Sequence, residues 1–224
     1  IINYSSREEY SNINEIVHPL IRESLNQLDI KSLVEISTYG FASGGSGLGG
    51  SSSFLLSLLS ALSNAFDLPE TPHTLANHAC NIEINRLSKP IGRQDQFLSA
   101  MGGISCLRFN FDRTTSIQQL PNTKINTINR IINNLYIIPT EKTRNADSIL
   151  SGLRDDSSSI DKFIKIRNIA EQFIKLDEHR DHVIEESFHK AVKESWEIKK
   201  EMSGVMTGKL VDQYTFLRQL PLHW

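Results

Sequence analysis

Cysteine is nearly missing from this 224-residue sequence: Cys80 and Cys106 are the only two. A disulfide framework is therefore excluded, and free thiols point to a reducing, cytoplasmic setting. Charge of one sign is missing too, since 24 Lys+Arg stand against 26 Asp+Glu for a formal charge of −2. No overall basic field is left for nucleic acid or an anionic membrane surface. The longest apolar stretch, Phe54 to Phe66, is broken by Ser57, Ser60, Ser63 and Asn64. It falls short of the roughly 20 residues that span a bilayer. No GxSxG nucleophile elbow occurs. The histidines show no metal-ligand spacing beyond helical pairs such as Glu185/His189 and His182/Glu186, which read as surface pairs rather than a zinc site. What remains is 39% hydrophobic and 22% charged residues, the composition of a globular protein long enough to bury its own core.

Hydrophobic spacing divides the chain into a mixed first part and a helical second part, with the change near residues 112 to 134. Asn14 to Leu28 carries Ile16, Val17, Leu20, Ile21, Leu25 and Leu28 in an amphipathic-helix rhythm. Leu33 to Tyr39 alternates as a strand does. From Ser51 a helix apolar nearly all round follows, and such a helix is buried. Pro69 to Thr74 breaks the chain, and Thr74 is placed to cap a helix running to about Leu87. Ser88 to Gly92 reads as a loop and Gln94 to Met101 as a short helix closed by Gly102-Gly103. Ile104 to Phe111 and Leu135 to Ile138 read as strands. Beyond Asp155 charges thicken and the period becomes 3.6, predicting two or three amphipathic helices. Cys80, Cys106 and Trp196 read as core residues.

Between the first strand and the buried helix lies Gly40-Phe41-Ala42-Ser43-Gly44-Gly45-Ser46-Gly47-Leu48-Gly49-Gly50, too rich in glycine for regular structure. A glycine turn opening a helix suits an anion, because the first helical turn presents unpaired N–H groups and a partial positive charge. Ser51 and Ser52 add hydroxyls there. Gly45-Ser46-Gly47-Leu48-Gly49-Gly50 satisfies GxGxxG. The dinucleotide fingerprint, however, needs a second strand bearing an acid about 20 residues on, and Asp67-Leu68-Pro69 leads into another helix. A Walker A loop needs a lysine, and Gly50 is followed by Ser51. A flexible linker does not usually sit flush between a strand and an apolar helix.

Gly47-Leu48-Gly49-Gly50-Ser51-Ser52-Ser53-Phe54 resembles the phosphate loop of the GHMP small-molecule kinases. It is joined by Ala79-Cys80-Asn81-Ile82-Glu83-Ile84, by Ile91-Gly92-Arg93-Gln94-Asp95-Gln96-Phe97 and by Gly102-Gly103. Thr143-Arg144 with Ile149-Leu150, and Trp196-Glu197-Ile198-Lys199-Lys200, extend the likeness over nearly the whole chain. Within the family, Glu83 to Gln96 resembles the branch containing D-glycero-D-manno-heptose 7-phosphate kinases. The resemblance implies an α+β, two-domain GHMP-kinase-like fold. Its N-terminal part, 1–130, would be an ATP-binding domain like domain 2 of ribosomal protein S5, and 131–224 a helical, ferredoxin-like C-terminal domain. Both would be partial: the family's first strands would precede Ile1 and its last glycine-rich motif would follow Trp224. Without them, weak or no turnover and poor solubility are expected of the 224-residue chain.

The resemblance further implies ATP and Mg²⁺ as cofactors and a sugar or sugar phosphate as the partner. Gly45, Ser46, Gly47, Leu48, Gly49, Gly50, Ser51 and Ser52 would embrace the nucleotide phosphates, and Ser51 and Glu83 would bind the cation. Asp95 would accept the proton of the acceptor hydroxyl. Arg93 and Arg144 are candidates for substrate phosphate, Arg93 being alternatively placed to steady Asp95, with exposed-loop and ion-pair roles as the plainer readings. Two departures stand out: Gly50 replaces the first serine of the family's pair, and Ser43 replaces a proline. The implied activity is phosphorylation of a hydroxyl, heptose 7-phosphate being the favoured acceptor. A galactose- or fucose-type kinase and a non-catalytic nucleotide- or sugar-binding relative are the alternatives.

Overall fold

The computed structural model describes residues 1–39, 48–136, 158–177, 179–202 and 208–217. These fall into two compact units, one ending at Thr115 and the other beginning at Ser116.

In the first unit, β1 (Ile2–Asn3) pairs antiparallel with β2 (Arg7–Glu8) and parallel with β3 (Ile36–Ser37), giving the order β2-β1-β3. The expected strand from Leu33 to Tyr39 contracts to two paired residues, flanked by exposed Leu33 and Tyr39. α1 (Pro19–Gln27) starts later than its apolar rhythm suggested. Pro19 occupies the first helical position, which needs no N–H partner, and the His18 ring accepts the Ile21 N–H as a cap. The preceding Ile13–Glu15 forms a single 3-10 turn instead.

α2 (Gly50–Ala65) supplies the centre of the core. Ser52, Leu55, Leu56, Leu59, Leu62 and Ser63 recur at three- and four-residue intervals and are buried. Ser53, Ser57 and Asn64 face solvent. The helix is thus buried along one broad face, and the expectation of burial all round is corrected by its serines. Leu58 and Leu62 pack with Ile2, Ile16, Ile21, Leu25 and Ile30, while Leu55, Leu56 and Leu59 meet Leu20, Ala79 and Ile82. Burying one such leucine stabilises by about 1.5–3 kcal/mol.

α3 (Pro72–Cys80) is capped by Thr71 rather than Thr74; the two form a reciprocal box, with Thr74 at the third helical position. It continues into a π turn, Asn81–Arg86. α4 (Gln94–Met101) ends at Gly102, whose φ of +64° is open to glycine without strain. Ala76, Cys80 and Phe97 join α3 to α4. β4 (Cys106–Phe109) and β5 (Thr115–Gln118) form a two-stranded sheet.

The second unit contains α5 (Asn122–Ile132), α6 (Ser158–Lys175), α7 (Asp181–Lys200) and α8 (Gly208–Leu217). Lys124 of α5 is buried, and its ammonium donates to the carbonyls of Phe173 (3.0 Å) and Ile174 (2.7 Å) at the end of α6. A cation on these last-turn carbonyls complements the negative end of the helix. Phe173 meets Phe188 edge-on at 5.6 Å, and Trp196 lies 5.6 Å from Tyr214. The strand expected from Leu135 is not formed at Leu135 and Tyr136, which are exposed after α5; Ile137 and Ile138 lie outside the described residues.

Candidate functional site

Gly49 opens α2 with φ +71°, a left-handed conformation that costs a residue with a side chain about 1–2 kcal/mol. Its carbonyl accepts the Ser53 N–H at 2.9 Å. No side chain caps this end, so the first-turn N–H groups of Gly50, Ser51 and Ser52 form a donor cluster at the positive helix end.

The side chains of that turn diverge. Ser52 is buried, while Ser51 and Ser53 are exposed. Ser51 and Ser52 both converge on Glu83: Ser51 Oγ donates to Oε1 at 2.8 Å and Ser52 Oγ to Oε2 at 2.9 Å. Gln96 Nε2 donates to Oε2 at 2.6 Å, and Lys89 Nζ donates to Oε1 at 2.8 Å and to Ser51 Oγ at 3.1 Å. Four donors thus fill a carboxylate that is only 1% exposed. Burial pushes the Glu83 carboxyl up, but the bonds from Lys89, Ser51 and Gln96, with the lysine charge, hold it below the ordinary glutamate value. Glu83 is therefore ionised at neutral pH.

The π turn explains how Glu83 and Lys89 meet. It widens the helix, a device concentrated at functional sites, and then closes on itself: the Leu87 N–H donates to Ile82 O and the Lys89 N–H to Glu83 O, each at 2.9 Å. Ser88 takes φ +52° to allow this return. The backbone of Lys89 is thereby tied to the backbone of the residue its side chain serves.

α4 completes the arrangement from the other side. A Cβ on Gly49 would stand 3.6 Å from both Cγ and Oδ2 of Asp95. Asp95, in the first turn of α4, is exposed beside the opening of α2, and Ser99 Oγ lies 3.1 Å from Ser53 Oγ one turn further. The N-terminal turns of two helices therefore flank one exposed carboxylate.

Ser51, Ser52, Glu83 and Asp95 are brought together with Gly49 and Gly50, and Leu48 is exposed immediately before them. Gly45, Ser46, Gly47 and Arg144 lie outside the described residues. Arg93 faces elsewhere: its guanidinium donates to Asn77 Oδ1 at 2.7 Å and lies 5.5 Å from the centre of the Phe97 ring. It also lowers the Cys80 thiol pKa, against burial, which prevails and leaves the thiol raised. Lys89 and Gln96 are the residues that sequence reasoning missed. The signal was a lysine six positions after a glutamate, which ordinary helical spacing does not place on one face.

Ser51 Oγ and Glu83 Oε1 are hard oxygen donors 2.8 Å apart. Neighbouring corners of the octahedron that magnesium requires are roughly 3.0 Å apart for ligands at about 2.1 Å. A positive charge, the Lys89 ammonium, already stands against both oxygens. The donor set fits such an ion in charge and chemistry. Among the described residues, no group of three or more His, Cys, Asp or Glu side chains is clustered for a metal, and no helix is long and apolar enough to cross a membrane.

Comparison with known proteins returns one family model: residues 13–103 match the GHMP kinases N terminal domain. No curated protein sequence matches the chain. Among solved structures, a D-glycero-D-manno-heptose 1-phosphate kinase from Bacteriodes thetaiotaomicron superimposes with a TM-score of 0.64 at 21% identity, over 91% of this chain and 64% of that one. A mevalonate kinase superimposes with a TM-score of 0.60 at 16% identity, over 90% and 62%. The chain spans less than two thirds of either neighbour's length. At these identities the likeness is one of fold: the mixed α+β architecture is shared with these two kinases.

Proposed function

We propose, for a chain whose residues 13–103 match the GHMP kinases N terminal domain, that this site transfers the γ-phosphoryl group of ATP to a hydroxyl of a sugar or sugar phosphate. One observation carries the reading: Ser51 and Glu83 meet at 2.8 Å at the same helix opening where Asp95 approaches Gly49. Three separated stretches thus supply a phosphate cradle, a cation pair and a proton acceptor within one turn of α2.

Each part has a defined task. The N–H groups of Gly50, Ser51 and Ser52, at the positive end of α2, hold phosphate oxygens, with Gly45 to Leu48 completing the loop as the resemblance implies. Ser51 and Glu83 would hold Mg²⁺, which when bound neutralises charge developing on the phosphates. Asp95 accepts the proton of the acceptor hydroxyl and orients its oxygen for in-line attack. Gln96 and Ser52 keep the Glu83 carboxylate aimed at Ser51. Arg144 is proposed to grip a phosphate on the acceptor through its fork of donors, whereas Arg93, engaged with Asn77 and Phe97, steadies the α4 turn that carries Asp95.

The favoured acceptor is D-glycero-D-manno-heptose 7-phosphate. The resemblance around Glu83 to Gln96 supports it, and a heptose phosphate kinase stands among the neighbours in fold, named there for the 1-phosphate. In this reading 1–130 is the ATP-binding domain and 131–224 the C-terminal domain of a cytoplasmic enzyme. The test is ADP release from the intact protein with heptose 7-phosphate, galactose and fucose as acceptors, alongside Asp95→Asn. Acceptor-dependent ADP release that Asp95→Asn lowers by on the order of a hundredfold or more, with ATP binding retained, supports the proposal. ATP or sugar binding without ADP, unchanged in Asp95→Asn, would assign the chain to non-catalytic binding.

A further inference from the structure

Lys89 lies outside every motif that points to phosphoryl transfer, yet its ammonium occupies the centre of the site. It contacts Glu83 Oε1 at 2.8 Å and Ser51 Oγ at 3.1 Å, and those two oxygens are themselves 2.8 Å apart. The three atoms form a nearly equilateral triangle whose third corner is a positive charge. The contact is built in, because the Lys89 N–H is bonded to Glu83 O and Ser88 takes a left-handed conformation to make the return. Burial also makes it asymmetric: Glu83 is 1% exposed and Lys89 25% exposed. The carboxylate cannot leave, whereas the lysine has a solvent route and a flexible four-carbon stem.

We propose that Lys89 is the resident cation of this site, holding the Ser51–Glu83 oxygen pair ready and competing with a divalent metal for it. The inference rests on the cation site placed above at Ser51 and Glu83. Two cations drawn to one edge of two oxygens repel each other in a partly buried place, so metal alone binds weakly against the ammonium. A metal carried in by a nucleotide is different. The triphosphate supplies further oxygens for the metal and an anion on which the displaced ammonium can rest. Lys89 is a positioning residue in this scheme: it keeps Glu83 compensated and Ser51 oriented while the site is empty, and it ties metal uptake to nucleotide.

The probe is Mn²⁺ alone, titrated into the intact protein and followed by the electron paramagnetic resonance of the free ion. Lys89→Met should tighten Mn²⁺ binding on the order of tenfold, whereas Lys89→Arg, which keeps the charge, should leave it weak. A lysine with a purely structural role gives the reverse: affinity unchanged or weaker in Lys89→Met, which overturns the proposal. A second measurement needs no variant. Acylation of lysines in the wild-type protein, read by mass spectrometry, should show Lys89 becoming more reactive relative to exposed Lys31 when Mn²⁺ saturates the protein. Unchanged relative reactivity with Mn²⁺ bound, or no Mn²⁺ uptake by wild type and Lys89→Met alike, also overturns it. The kinase reading is judged separately. ADP release without these metal effects removes the role given to Lys89 and leaves phosphoryl transfer standing. The metal effects without ADP release do the opposite.

Discussion

Removing the Glu83 carboxylate should separate what its charge does from what its hydrogen bonds do. In Glu83→Ala, Ser51 and Lys89 regain water because both reach the surface, but Ser52 Oγ and Gln96 Nε2 are buried with no other partner. Each orphaned buried donor costs about 1–3 kcal/mol, and loss of the buried pair's anion adds to that. The expected destabilisation is about 3–5 kcal/mol. Glu83→Gln behaves differently. The new amide keeps one acceptor, the Ser52 hydroxyl can rotate to accept from the other end, and Gln96 has a buried Oε1 without a partner. A flip of the Gln96 amide turns that oxygen onto the new NH₂ group. The flip leaves the Gln96 NH₂ where its partnerless oxygen stood, so one orphaned donor and the lost charge assistance from Lys89 together cost roughly 2–3 kcal/mol. Urea unfolding followed by circular dichroism, with hydrogen exchange of the α2 and α3 amides to localise the loss, reads both values. A Glu83→Ala cost under about 1 kcal/mol, or equal costs for Ala and Gln, would refute the reasoning.

Gly49→Ala should lose about 1–2 kcal/mol from its left-handed backbone, with its methyl in ordinary contact with Asp95; thermal unfolding measures it. Glu8 should give the first unit an acid-sensitive step. Burial pushes its carboxyl up, but the Val17 N–H, the Tyr4 hydroxyl and the His18 N–H hold it below the ordinary value. A depressed folded pKa stabilises above the unfolded value of about 4.3 and is lost as pH falls through the folded one. Stability from about pH 5 down to 3 should therefore fall more steeply in wild type than in Glu8→Gln, as tested by urea midpoints. Lys124→Met strips the cation from the Phe173 and Ile174 carbonyls and should cost the second unit about 2 kcal/mol, read by Trp196 fluorescence on unfolding.

The elements legible in the sequence were those whose burial pattern is local. α2 and α4 follow from leucine spacing and from Gly102-Gly103, and the glycine turn announced a helix opening. Strands β1 and β2 were not legible, because two-residue pairings have no alternation to read. α5 was passed over since asparagine and threonine, which dominate Asn122 to Arg130, are poor helix formers; Lys124 and Ile128 hold it by tertiary contacts. At the site, residue types named the donors but not their pairing. The meeting of Lys89 with Glu83 depends on a π turn and a left-handed serine, neither of which leaves a periodic trace.

Calorimetric titration of ATP into the intact protein, with and without Mg²⁺, compared with Ser51→Ala, tests the phosphate-and-cation site at the opening of α2 most directly. Ser51 is exposed, and Glu83 keeps three other donors without it, so the variant should stay folded. Wild type should bind ATP more tightly with Mg²⁺, and Ser51→Ala should lose on the order of tenfold of that gain. Equal magnesium dependence in both proteins, or no binding of ATP at all, would contradict the site.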